Sequence, residues 1–180
     1  MRHGVQICRV LEGFGAGGRA VVDSLMAMRL GEAKLDSFNE PLRTWGDVLA
    51  FMTLIDRVGD FQLRNFEECS YAPLARALPL MLHEEQFHIA IGVNGVRRMV
   101  EDPDYYGTRE EAQALVDHWY PLALDMFGHS GSAASQQAIE WGIKKWDNDE
   151  ARAMYIDEVG QVIRDLGLRV PDPNANRRIR

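Results

Sequence analysis

The stretch TWGDVLAFMTLIDRVGDFQLRNFE, residues 44 to 67, decides the fold. Its apolar letters at Val48, Phe51, Met52, Ile55 and Val58 recur in steps of three and four, the period of one helical face and not the alternation of a strand. An amphipathic helix is predicted over Thr44 to Glu67. Asp56 stands beside that stripe, where burial of an unpartnered carboxylate is costly.

Reading outward, turn-forming clusters punctuate the chain at Gly31 to Pro41, around Cys69 to Pro73, at Asp102 to Gly107 and around Gly128 to Ser132. Between them a second long helix is expected from about Leu74 to Val100, with Pro79 kinking it or marking its effective start. Three shorter helices are expected near Glu110 to Met126, Ser135 to Trp146 and Glu150 to Leu166. Segments with period-two alternation are nearly absent, so the fold class is all-α. The expectation is one domain over residues 1–180, helical over 1–168, with an irregular tail over 169–180.

With 180 residues and 46% hydrophobic letters, the chain can bury a sizeable core. No run approaches a spanning helix and no signal pattern opens the sequence, so a soluble, cytoplasmic protein is expected. Twenty basic against 27 acidic residues leave a formal charge of −7, which argues against nonspecific binding to nucleic acid or to an anionic membrane. Cys8 and Cys69 are far apart and suggest neither a disulfide framework nor a zinc knuckle. Both are expected to be buried, reduced thiols.

Gly13, Gly15 and Gly18 satisfy GxGxxG, but the next strand and its acidic residue, which a dinucleotide-binding unit needs, are missing from Leu30 to Phe38. These glycines are read instead as letting a helix pack closely or relax locally.

Glu85-Gln86-Phe87-His88 places an acid and an imidazole three residues apart, projecting from one helical face toward a common point. Bundles that bind metals through carboxylates use this unit twice, with one further carboxylate from each of two other helices. Asp56, one hairpin earlier, is the best candidate partner. Asp60, a turn later and about 6 Å along the axis, is read as an outer neighbour or a solvated group. His83 and Glu84 are read as neighbours of the site. His118 and His129 lack a spaced acidic partner, and Trp45, Trp119, Trp141 and Trp146 are read as packing or interface residues.

The segments Phe38-Asn39-Glu40-Pro41, Asp56-Arg57-Val58-Gly59-Asp60-Phe61-Gln62-Leu63, Pro73-Leu74-Ala75-Arg76 and Met81-Leu82-His83-Glu84-Glu85-Gln86-Phe87-His88 together resemble the oxygenase subunits of benzoyl-CoA epoxidase and phenylacetyl-CoA epoxidase. The resemblance covers nearly the whole chain. It implies a ferritin-like bundle with a non-haem di-iron centre that uses O2 to epoxidise the ring of an aryl-CoA thioester, with electrons from a separate reductase.

It further implies His3 as the histidine of a first Glu-x-x-His, and Asp56, Glu85 and His88 as the second half-site. The glutamate before His3 would fall ahead of Met1, and an earlier glutamate-bearing helix is also missing relative to the family. The chain then reads as a fragment, as a protein begun at an internal methionine, or as a remnant with altered function. A noncatalytic ferritin-like subunit is the competing reading, and association into a homo- or hetero-oligomer is expected. Arg97, Arg98, Lys144 and Lys145 are candidates for a basic CoA-binding groove.

Overall fold

The computed structural model describes residues 2–102 and 104–179. Helices α1 (Arg2–Glu12) and α2 (Ala16–Ala27) form a short hairpin, and a 3-10 turn (Asp36–Phe38) leads to α3 (Trp45–Asn65) and α4 (Ala72–Glu101). Helices α5 (Arg109–Asp125), α6 (Ala133–Glu140) and α7 (Asn148–Asp165) follow. Among the described residues there is no strand, and no helix is long and apolar enough to cross a membrane. The fold is an all-α, ferritin-like bundle.

Local chemistry sets where the core helices begin. Capping boxes at Thr44 with Asp47, Thr108 with Glu111 and Asp147 with Glu150 satisfy free backbone N–H groups at the starts of α3, α5 and α7. Helix α3 is the central element: Leu49, Leu54, Val58 and Phe61 are buried in one cluster with Val96, Val116, Trp119, Tyr155 and Ile163. It buries most of its circumference, a wider face than the periodic stripe alone predicts.

Two glycines of α4 bring it onto α3. A Cβ on Gly92 would lie 2.6 Å from the Thr53 backbone nitrogen, and one on Gly95 would lie 2.3 Å from a Leu49 methyl. Only glycine allows so close an approach. The contacts fix an antiparallel register in which Gly95 faces Leu49 and Gly92 faces Thr53.

The structure revises three local expectations. Pro79 neither starts nor ends α4, which begins at Ala72 and runs through it as one helix. Helix α6 stops at Glu140 and not near Trp146, because Gly142 turns the chain with φ +65° and the buried Asn65 takes over the segment beyond. Asn65 Oδ1 accepts from the Lys145 and Trp146 amides, and its Nδ2 donates to the Trp146 carbonyl. The Gly13 to Gly15 segment separates two helices, with Gly15 at φ +74°, so these glycines make a turn.

Close packing holds at Gly18, where a Cβ would collide with the Leu11 carbonyl. Val5 to Leu11 is helical, which removes the dinucleotide-binding reading. Beyond α7 the chain is irregular, and its end is tied down: Arg177, Arg178 and Ile179 all donate to the buried Asp125 carboxylate.

Candidate metal centre

Because α3 and α4 run antiparallel, Asp56 comes level with His88, and Glu85 lies one turn away on the same face of α4. One donor atom from each of Asp56, Glu85 and His88 lies within 4.8 Å of the other two. His88 Nδ1 is 3.5 Å from Glu85 Oε2. That oxygen is buried and makes no hydrogen bond, a costly state for a carboxylate. Burial, followed by the charge on Glu85, pushes the Asp56 carboxyl from 3.8 up to about 6, against the opposing influence of His88 and His3.

A buried carboxylate oxygen without a hydrogen bond, a second acid whose ionisation is disfavoured and a nearby imidazole make a donor set suited to a cation. Bonds of about 2.1 Å to a first-row divalent ion span donor pairs up to about 4.2 Å, so small side-chain shifts close the set. Mixed carboxylate and imidazole donors suit iron. The residues present fit the group.

His3 reaches the same place from α1. Its Nδ1 is 2.9 Å from Glu85 Oε1, and its Nε2 is 2.7 Å from Glu84 Oε2, an ion pair when the ring is protonated. The three-residue group does not include His3, which is bracketed by two consecutive acids of α4 with its ring centroid 6.0 Å from that of His88. Glu84 thus has a specific partner, which the periodicity of α4 alone does not reveal. His83 is exposed. Asp60, only 2% exposed, is no solvated group: Gln86 Nε2 donates to its Oδ1 and Arg64 pairs with its Oδ2.

The four basic candidates do not converge. Arg97 contacts the Asp165 carbonyl at the end of α7, whereas Lys144 contacts Asn148 at its start. Those ends are about 26 Å apart at 1.5 Å per residue. Lys145 pairs with Glu67 and Glu68, and Arg98 stacks on Tyr105. His118 lies on the surface, 3.8 Å from Glu40. Trp119 is fully buried, while Trp45 and Trp141 are exposed. Cys69 is buried, Cys8 only half-buried, and both are free thiols.

An all-α bundle with a carboxylate–histidine cluster between antiparallel helices defines the class: a ferritin-like bundle with a candidate metal site. Residues 3–178 match the family model described as phenylacetic acid catabolic protein, and the chain belongs to that family. It is 28% identical over 180 residues to one of the subunits of the 1,2-phenylacetyl-CoA epoxidase of Escherichia coli (strain K12), a match covering 97% of this chain and 56% of that protein. It is 35% identical over 92 residues to the benzoyl-CoA oxygenase component B of Aromatoleum evansii, covering 49% of this chain and 20% of that protein. The chain thus spans about half the length of the first relative, and its match to the second covers a fifth of that protein.

Proposed function

We propose that this chain is an oxygenase component of an aryl-CoA ring epoxidase acting in aromatic degradation, with iron held by Asp56, Glu85 and His88 and with His3 adding, from α1, the fourth of the six ligands that the family resemblance implies. The cluster of those three side chains in a member of this family is the observation that carries the reading. The names of the two relatives supply the substrate class, a CoA thioester of an aromatic acid.

Iron, when bound, supplies the redox chemistry that activates dioxygen. The protein's part is charge and position. Asp56 and Glu85 offset the charge of the cation, and His88 adds a neutral nitrogen donor to their oxygens. Ile55 and Ile89, beside two of these residues in sequence, are buried and keep bulk water from that side. Electrons come from a separate reductase, and the cofactor is a di-iron centre to which this chain contributes four of the six ligands that the resemblance implies.

The test is anaerobic loading with Fe(II), followed by chemical reduction, addition of phenylacetyl-CoA or benzoyl-CoA, and exposure to O2. The expected product carries one added oxygen atom by mass spectrometry, and Asp56→Ala and His88→Ala abolish it. Loaded protein that binds iron but leaves both thioesters unchanged supports a noncatalytic role instead.

A further inference from the structure

Immediately beside the proposed ligands lies a second rung between α3 and α4. Asp60 is one turn beyond Asp56 on α3, and Gln86 follows Glu85 on α4. Gln86 Nε2 donates to Asp60 Oδ1 at 2.8 Å, a direct side-chain hydrogen bond that ties these helices together at the site. Arg64 Nε stands 2.8 Å from the other oxygen of Asp60. Arg64 and Arg57 both reach Glu158 of α7, at 3.4 and 2.6 Å, and Arg57 Nε also donates to the Thr53 carbonyl. Both arginines sit on α3, and Arg57 directly follows Asp56.

The glycine contacts at Gly92 and Gly95 fix the approach of the helices farther along, but they lie on the opposite side of His88 from this rung. At the cluster itself, the like charges of Asp56 and Glu85 push α3 and α4 apart. The Asp60–Gln86 bond opposes that push from the other side, and the arginine–Glu158 pairs hold α3 in rotation against α7. A buried carboxylate with all of this invested in it is a poor choice for packing alone, since an apolar pair fills the same space without desolvating a charge.

We infer that Asp60 and Gln86 are positioning residues for the metal cluster, setting the register at which Asp56, Glu85 and His88 meet around one ion. The inference rests on the reading of that cluster as a metal site. Groups hydrogen-bonded to metal ligands commonly change affinity 10- to 100-fold when removed; Asp60 and Gln86 act one step farther out, through the spacing of the two helices that carry the ligands.

The probe is Co(II), whose visible d–d absorption reports ligand geometry, titrated into the wild type, Gln86→Glu, Asp60→Asn and the exchanged pair Asp60→Asn with Gln86→Glu. Gln86→Glu sets two carboxylates against each other and is expected to weaken Co(II) binding about tenfold, the low end of the range for groups bonded to ligands, and to alter the d–d spectrum. The exchanged pair restores one amide donor and one carboxylate acceptor and is expected to recover most of both. Far-ultraviolet circular dichroism selects the variants that fold.

A merely structural contact lowers the melting temperature and leaves the cobalt spectrum unmoved. A folded Gln86→Glu protein with wild-type affinity and spectrum overturns the inference, as does a folded exchanged pair that recovers neither. Wild-type protein that takes up no Co(II) overturns the metal reading itself, and this role falls with it.

Discussion

Replacing Asp56 by asparagine is expected to make the metal-free protein more stable at neutral pH and to abolish its response to metal. Burial and the neighbouring Glu85 raise the Asp56 carboxyl from 3.8 to about 6 in the folded chain. A raised carboxyl pKa means that the folded state resists ionisation. The cost is absent below the unfolded value of 3.8, grows as pH rises toward about 6, and is fully present above that. At 1.36 kcal/mol per pKa unit the penalty at pH 7.5 is about 3 kcal/mol. Asparagine has similar shape and no charge, so it recovers part or all of that amount.

The assay is urea denaturation with a chelator present, at pH 7.5 and near pH 4. The variant is expected to be the more stable protein at pH 7.5, with the advantage vanishing near pH 4. Adding Fe(II) or Co(II) at 100 times its dissociation constant raises wild-type stability by about 2.7 kcal/mol and leaves the variant unchanged. An Asp56→Asn protein no more stable than wild type at pH 7.5 without metal refutes the electrostatic reasoning.

Gly92→Ala forces a methyl to within 2.6 Å of the Thr53 backbone, and it is expected to cost about 1–3 kcal/mol in denaturation and to weaken Co(II) binding by separating α3 from α4. Asn65→Ala strips three hydrogen bonds from the buried junction with Lys145 and Trp146, and a loss of about 3 kcal/mol is expected, with faster hydrogen exchange at those two amides. The Ser130 hydroxyl, which donates to Asp149, heads the interactions that lower the pKa of that carboxyl; its stabilisation is therefore present above pH 3.8 and lost as pH falls through the lower folded value. Asp149→Asn is accordingly expected to flatten the acid limb of a stability–pH curve and to leave its neutral limb in shape.

What is legible in the sequence is what repeats along one helix. The period of Val48 to Val58 predicts α3, and the spacing of Glu85 and His88 together with the position of Asp56 names three residues that the fold brings to one point. What depends on two segments at once is not legible. Gly92 and Gly95 look like weak helix residues until Leu49 and Thr53 are seen beneath them. Gln86 is an ordinary surface amide until Asp60 is found opposite, and spacing leaves Asp60 either an outer neighbour of the site or a solvated acid until its 2% exposure decides for the first. Local pattern extends α6 too far because the segment beyond it is held by Asn65, about 80 residues earlier in the chain. Spacing alone likewise does not assign His3 its place between Glu84 and Glu85, since that contact depends on how the α1–α2 hairpin folds against α4.

The central claim is that Asp56, Glu85 and His88 together hold iron. Metal analysis of protein loaded anaerobically with Fe(II) and freed of loosely bound ions tests it most directly, with Asp56→Ala and His88→Ala alongside. Stoichiometric iron is expected in the wild type and its loss in both variants; wild-type protein without retained iron, or variants that keep it, would contradict the claim.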